Sequence, residues 1–396
     1  MNDKRVFLVD GYSLLYRSFY AIRGLSSAAG FPTNAIFGFL TTLKKIRDTE
    51  SLDYLGVILD SRGPTFRHER YDKYKAQRKP MPEDLSVQIP VLRKIMAAMR
   101  IPVLEHEKYE ADDVLGALSR KASSLRVRTV LVTTDKDLYQ LVDDMVEIYN
   151  PVKGQYFDRD GVKKVFGVFP DQVRDVLALW GDPSDNVPGV PGIGEKTAKA
   201  LITDFGTIEN LMDNLSQIKP RIREKIEGNL DQMRLSRELV TIDKDLDVPF
   251  EPERFRLSEP DTPELLRLFE ELGMQSLASE YRESPSPEEL SYSTILDEKR
   301  LKTLIKAIEK AGYVSLDTET THLQPTQASL VGLSLAINPS EAFYIPLEHD
   351  YPGAPEQLTK EKAFSLLRPV FQSPEIKKLG QNIKSVSYTH LRAHET

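Results

Sequence analysis

Three apolar runs in this chain each close on an aspartate: Val6-Phe7-Leu8-Val9-Asp10, Leu55-Gly56-Val57-Ile58-Leu59-Asp60 and Val130-Leu131-Val132-Thr133-Thr134-Asp135. Unbroken apolar runs bounded by polar residues predict strands buried on both faces, as in a parallel sheet. Residues 1–170 alternate such runs with helical periodicity, which predicts a three-layer α/β domain. A helical stretch from Asp171 to Trp180 then leads into a Pro- and Gly-rich hairpin, 181–198, with helix resuming near Glu195. Residues 205–245 are helical in character. The patch Ser284-Pro285-Ser286-Pro287-Glu288-Glu289 marks a linker, taken as 284–292. Beyond it a helix over Glu298–Ala311 precedes strands at Tyr313–Asp317, Leu330–Ile337 and Ala342–Leu347. The expected organisation is an α/β core domain at 1–170, a second subdomain at 171–283, and the opening of another domain at 293–384.

The strand ends carry the chemistry. Ligands of open α/β sheets bind beyond the carboxyl ends of the strands, so Asp10, Asp60 and Asp135 are expected to gather in one crevice. Like charges held close cannot all stay ionised, and a divalent ion resolves that conflict, with hard oxygen donors favouring Mg²⁺ or Mn²⁺. Tyr109-Glu110-Ala111-Asp112-Asp113 adds acids where a helix should start, and Glu110 and Asp113, three apart, are expected on one face. Asp137, Asp182 and Asp185 extend the set. Together these residues predict a two-metal phosphodiester site.

Composition narrows the setting. Of 396 residues, 40% are hydrophobic and 29% charged, ordinary for globular protein. There is no cysteine, which excludes a disulfide framework, a thiolate zinc site and a cysteine nucleophile. No apolar stretch approaches a membrane span and the N-terminus reads straight into a strand, so a cytoplasmic protein without signal peptide is expected. The net charge of −7, from 53 basic and 60 acidic residues, hides a basic segment. Arg62, Arg67, Arg70, Lys73, Lys75, Arg78 and Lys79 face only Glu69 and Asp72, with Phe66, Tyr71 and Tyr74 interleaved. That mixture suits phosphates and unpaired bases.

Glycines 189, 192 and 194 let backbone approach a ligand closely, and the helix starting near Glu195 aims free N–H groups at it. Lys196 adds a point charge, and Thr197 follows in the same turn. Such a turn reads the phosphate backbone rather than bases. The string resembles the helix–hairpin–helix element of DNA repair and replication proteins.

The series Leu8-Val9-Asp10-Gly11, Thr65-Phe66-Arg67, Tyr74-Lys75-x-x-Arg78, Glu110-Ala111-Asp112-Asp113 and Asp135-Lys136-Asp137 resembles the 5′-nuclease domain of the bacterial DNA polymerase I family, over residues 1 to about 285. The resemblance implies a PIN/flap-endonuclease-like parallel sheet with a helical arch and a helix–hairpin–helix subdomain. It implies two Mg²⁺ (or Mn²⁺) ions held by Asp10, Asp60, Glu110, Asp112, Asp113, Asp135, Asp137, Asp182 and Asp185. Lys75, Arg78, Asp113 and Asp135 take catalytic roles in that reading. Arg17, Arg67, Tyr74, Lys75, Arg78, Gly192, Gly194, Lys196 and Thr197 bind DNA, and a K⁺ ion accompanies the hairpin. The implied activity is 5′–3′ exonuclease and 5′-flap endonuclease on DNA ends, including RNA primer–DNA hybrids, by a monomer. A non-catalytic DNA-structure binder and a metal-dependent ribonuclease are the alternatives, and intact acids and the hairpin count against them.

The later domain resembles the start of the ribonuclease H-like 3′–5′ proofreading exonuclease of the same family, with Asp317-Thr318-Glu319 as its first metal motif and Gly380-Gln381-Asn382-Ile383-Lys384 opening its second. The family's next residues, Tyr-Asp, are replaced by Ser385-Val386. The tail 385–396, holding two of the six histidines, fits neither domain and reads as non-native. Neither 3′–5′ exonuclease nor polymerase activity is expected, Asp317 and Glu319 being vestigial.

Overall fold

The computed structural model describes residues 4–50, 52–282, 291–322 and 329–380. The Asn382 motif and the tail 385–396 lie outside the described residues. Two compact units are present, Met1–Arg282 and Glu283–Thr396.

The first unit is built on a sheet of six strands among the described residues: β1 (Arg5–Asp10), β2 (Tyr54–Ile58), β3 (Val103–Leu104), β4 (Arg128–Val132), β5 (Val146–Asn150) and β6 (Gln155–Phe157). Their order is β3-β2-β1-β4-β5-β6, parallel except for β6, which runs antiparallel to β5. Side chains of a strand alternate between faces, and β1 shows the consequence. Val6 and Leu8 enter one hydrophobic layer with the helices Ala111–Ser124 and Pro170–Trp180. Phe7 and Val9, at 0% exposure, enter the other with Asn34–Thr49, Gln88–Ala98 and Thr262–Glu271. Each fully buried side chain of this kind contributes about 1.5–3 kcal/mol, so a polar residue anywhere in β1 before Asp10 would be costly.

The hairpin shares the first layer. Val187, Val190, Ile193, Ala198 and Leu201 belong to the same cluster as Val173, Val176 and Leu177. Two glycines make the crossing feasible. Gly181, at φ +81°, and Gly189, at φ +61°, lie back to back, so that a Cβ on Gly181 would stand 2.9 Å from the nitrogen of Gly189.

The strand order reverses between β1 and β4. In doubly wound sheets such a switch point opens a crevice at the carboxyl ends, and Asp10 and Asp135 flank it. The arch segment, in contrast to the helix expected there, holds a single short helix, Phe66–Arg70, followed by consecutive turns through Gln77.

The second unit carries a five-stranded sheet among its described residues. β7 (Ser291–Thr294), β8 (Tyr313–Thr320), β9 (Leu330–Asn338), β10 (Glu341–Pro346) and β11 (Lys377–Leu379) lie in the order β11-β8-β9-β10-β7. The helices Glu298–Ala311 and Lys360–Gln372 pack with it through Leu301, Leu304, Ile308, Leu367 and Val370.

Candidate functional site

Asp10 ends β1 and caps the helix Gly11–Ala21. One carboxylate oxygen accepts the Ser13 N–H at 3.1 Å and the other the Thr133 hydroxyl at 2.8 Å. The same Thr133 oxygen accepts the Asp135 N–H at 3.0 Å, and Asp135 in turn accepts the N–H of Asp137 at 2.9 Å. Thr133 thereby links the carboxylates of two strands, a role the sequence reading missed although a hydroxyl beside an acid at a strand end was its signal. Asp60, two residues past β2, accepts the N–H of Ala111 at 2.7 Å and so ties the helix carrying Glu110 and Asp112 to the strand edge.

These acids are held in a field that opposes their ionisation. Burial, reinforced by the charge of Asp135, pushes Asp10 up to about 7. Asp112 is raised well above the carboxylate range by burial and then by Asp135, Asp10 and Glu110. Asp137 is raised likewise by burial, Asp135 and Asp182. Burial also raises Asp135 and Asp60, against the backbone N–H groups they accept. One oxygen of Asp137 is buried with no hydrogen-bond partner. Among the described residues no ion pair reaches Asp10, Asp60, Asp112, Asp135 or Asp137.

Other acids are compensated. Glu110 is the N-cap of Ala111–Ser124, with one oxygen 2.6 Å from Lys75 Nζ and the other accepting the Tyr74 hydroxyl at 3.0 Å. Asp185 also accepts from Tyr74, at 3.1 Å, lies 3.4 Å from Lys75 Nζ, and pairs with Arg78. Burial alone would raise Asp185, but Lys75 and Arg78 carry it below its ordinary value. Asp182 accepts the N–H and hydroxyl of Ser184 at 2.8 and 2.6 Å and faces Lys136 Nζ at 3.8 Å.

Three expectations are corrected. Asp113 is not placed to ligate metal or take part in chemistry. Its side chain is turned inward at 0% exposure, gripped by Arg67 through two bonds of 2.6 and 2.7 Å, and accepts the N–H groups of Glu110 and Asp243. Glu110 and Asp113 do meet on one side of the helix start, where the same Arg67 nitrogen lies 3.5 Å from Glu110 and 2.6 Å from Asp113, but only Glu110 also turns toward Lys75. Arg67 does not reach DNA, because its remaining donors are taken by the carbonyls of Leu239 and Thr241 at 2.8 Å each. Tyr74, 3% exposed, is a tether between Glu110 and Asp185 rather than a platform for bases. A buried, bidentate arginine–carboxylate pair is strong when complete, and here it fixes the start of one helix against the end of another.

The remaining predicted contacts are accessible. Arg17 is exposed on Gly11–Ala21. Gly194 caps the helix Glu195–Phe205, and a Cβ added there would meet nothing within 4 Å. The fold itself therefore leaves that glycine unexplained. Lys196 is exposed in the first turn, Thr197 lies beside it, and Gly192, at φ +76°, presents a carbonyl to Lys225 Nζ at 2.8 Å. In the second unit Asp317 and Glu319 stand on β8, paired with Ser334 and Gly332 of β9.

As arranged, no three carboxylates or imidazoles among the described residues converge on one point closely enough to hold an ion. The donor chemistry nevertheless fits a divalent cation. The groups are hard oxygens, they repel one another where water is scarce, and one buried oxygen of Asp137 lacks any partner.

The arrangement of sheet, capped acids and hairpin is that of a flap-endonuclease-like nuclease fold. The bacteriophage T5 5′-exonuclease with bound zinc is similar with a TM-score of 0.52 at 21% identity, covering 61% of this chain and 90% of that one. The T5 flap endonuclease in a pseudo-enzyme-product complex with DNA and metal ions gives 0.51 at 18% identity, covering 70% and 96%. In sequence, residues 5–167 match the family described as 5′-3′ exonuclease, N-terminal resolvase-like domain, and 168–263 its C-terminal SAM fold. Residues 292–385 match a 3′-5′ exonuclease family. The 5′-3′ exonuclease of Aquifex aeolicus is 40% identical over 277 residues, 70% of this chain and 95% of that protein. The chain belongs to the 5′–3′ exonuclease family. DNA polymerase I of Pseudomonas aeruginosa is 37% identical over 404 aligned positions, 97% of this chain but 44% of the polymerase, and that of Thermus aquaticus is 41% identical over 72% and 34%. The chain thus spans less than half the length of these polymerase relatives.

Proposed function

We propose that this chain is a divalent-metal-dependent 5′–3′ exonuclease and 5′-flap endonuclease acting on DNA in primer removal and repair, as the N-terminal part of a DNA polymerase I-like protein. The observation that carries the reading is the buried group Asp10, Asp112, Asp135 and Asp137 near the sheet's switch point, each raised above its ordinary carboxylate value and without an ion pair among the described residues, with its orphaned oxygen. Asp10, Asp60, Glu110, Asp112, Asp135, Asp137, Asp182 and Asp185 are the residues that would hold two Mg²⁺ or Mn²⁺ ions, whose bound water becomes acidic enough to supply hydroxide near neutral pH. Lys75 and Arg78 leave their carboxylate partners to offset charge on the scissile phosphate, a large term in phosphoryl chemistry. The N–H groups at the start of Glu195–Phe205, with Lys196, hold the duplex backbone. Division of labour follows: 1–170 supplies most of the cleaving groups, joined by Asp182 and Asp185, and the rest of 171–283 grips. A K⁺ ion at the hairpin, activity on RNA primer–DNA hybrids, a monomeric state and a cytoplasmic, nucleoid-associated setting belong to the same reading. Among the described residues no helix is long and apolar enough to cross a membrane.

The test is cleavage of a 5′-flap duplex by the purified chain in Mg²⁺. The expected products are released flaps with 3′-hydroxyl ends, and none form in EDTA. Asp135→Asn should bind the flap in Ca²⁺ as the wild type does and leave it uncut. Cleavage undiminished by that substitution, or none by the wild type in either Mg²⁺ or Mn²⁺, would sink the assignment.

A further inference from the structure

Beside the ion pairs of Asp185, the segment that carries Lys75 and Arg78 is clasped to a distant loop by backbone and amide contacts that use no carboxylate. The carbonyl of Asp185 accepts the Lys75 N–H at 2.9 Å. The Asn186 side-chain amide donates to the carbonyl of Lys73 at 2.7 Å. Gln77 donates to the carbonyls of Pro183 and Ser184 at 2.8 and 3.2 Å, and Arg78 Nε to Ser184 at 3.3 Å. Both sides of the clasp hold a non-glycine residue in the left-handed region, Lys75 at φ +53° and Asn186 at φ +59°. A side chain stays there only where its surroundings over-determine the backbone, although asparagine tolerates it better than most. The result is a lysine whose Nζ is aimed at Glu110 and Asp185 although its segment has no helix to hold it.

We propose that Asn186 and Gln77 are positioning residues for the cleavage step, holding Lys75 and Arg78 over the acid crevice by docking residues 73–78 on 183–186. Neither residue touches the acids through its own side chain, so each acts only through the cations it places. The inference rests on the nuclease reading for its consequence, while the clasp itself is independent of it. An aspartate at 186 would keep the shape but lose the donor that Lys73 requires. A serine would be too short and less tolerant of the left-handed backbone.

Two variants test this. Asn186→Gly keeps the left-handed backbone accessible and deletes the amide. Gln77→Leu keeps bulk at a second, exposed position and deletes the other donor. In each, single-turnover cleavage of the 5′ flap in Mg²⁺ should slow about tenfold, because small displacements of a positioned group are expensive in rate. The Kd for the flap in Ca²⁺ should stay within about twofold, the signature of a contact used in turnover rather than binding. A third readout needs no metal and no substrate: trypsin should cut after Lys73 and Lys75 about tenfold faster in the variants, since local opening governs such cleavage. Unchanged trypsin rates in both variants would overturn the clasp. Wild-type cleavage with unchanged turnover in both, or a Kd that weakens as much as turnover slows, would overturn the positioning role alone. A flap left uncut by the wild type would overturn the nuclease reading and the positioning role with it, while the trypsin comparison still decides the clasp.

Discussion

Replacing Asp113 by asparagine should destabilise this protein without disarming it. Asp113 and Arg67 are 0% and 2% exposed, joined by bonds of 2.6 and 2.7 Å. Removing one member of such a pair strands the other charge in the interior, at about 3–5 kcal/mol. The geometry sharpens the figure. Each carboxylate oxygen of Asp113 serves two donors, Arg67 with Glu110 N–H on one side and Arg67 with Asp243 N–H on the other. An amide keeps one acceptor and turns its NH₂ toward the other pair of donors. Arg67 retains the carbonyls of Leu239 and Thr241, which favours the lower end, about 3 kcal/mol. Against a total stability of about 5–15 kcal/mol that is a large share, and at about 2–4 °C per kcal/mol it lowers the melting temperature by about 6–12 °C.

The assay is thermal and urea unfolding followed by circular dichroism, alongside flap cleavage well below the melting range. The double variant Arg67→Met with Asp113→Leu should recover about half the loss, because an apolar pair of similar volume can replace a buried ion pair. If Asp113 were instead a metal ligand, Asp113→Asn would melt within about 2 °C of the wild type and yet abolish cleavage, and the double variant would remain inactive at every temperature. That outcome would refute a structural role for Asp113.

Two further outcomes follow from the same electrostatics. Asp10 rises in the fold from 3.8 to about 7, so the folded state binds its proton more tightly than the unfolded chain does. That contribution is complete below pH 3.8 and is lost as pH climbs through about 7, so in EDTA the melting temperature should fall across this window. Asp10→Asn should flatten the fall; a profile equally steep in the variant would contradict the account. Lys196→Ala should weaken binding to every duplex sequence alike in Ca²⁺ and reduce the slope of log K against log salt by about one. A loss confined to one sequence would exclude backbone reading.

Much of this architecture is legible along the chain. The helix Glu298–Ala311 has the bounds its periodicity predicts, and helix resumes at Glu195 after the hairpin as the Pro and Gly spacing requires. The apolar run of β1 closes on Asp10, whereas β2 ends at Ile58, leaving Asp60 on the loop from which it caps a neighbouring helix. The fates of Asp112 and Asp113 were not legible. They are adjacent and chemically identical, yet consecutive helical residues point about 100° apart, and one meets an arginine 46 positions away. The basic segment misled for a related reason. Its bases read as a free phosphate-binding face, but Arg67, Arg70, Lys75 and Arg78 find carboxylates at Asp113, Glu238, Glu110 and Asp185. Long-range pairing, unlike periodicity, leaves no local trace.

The distribution of those partners is itself informative about function. An arginine is buried to neutralise Asp113, and Lys75 and Arg78 reach Asp185, so the fold has cations available near this edge. It pairs none of them directly with Asp10, Asp112, Asp135 or Asp137, which burial and neighbouring carboxylates raise despite the more distant pull of Lys75 on Asp112 and of Lys136 on Asp135 and Asp137. A sequence shaped for stability alone would pair these groups or replace them with amides, and local conflict retained against that pressure marks a working site. The conflict also sets the direction of linkage. Any divalent ion that relieves it binds the folded chain and not the unfolded one, so it must raise stability by RT ln(1 + [L]/Kd), and most where the carboxylates are fully ionised. Metal-dependent stabilisation that grows with pH is therefore the thermodynamic counterpart of the cleavage proposed for this edge of the sheet.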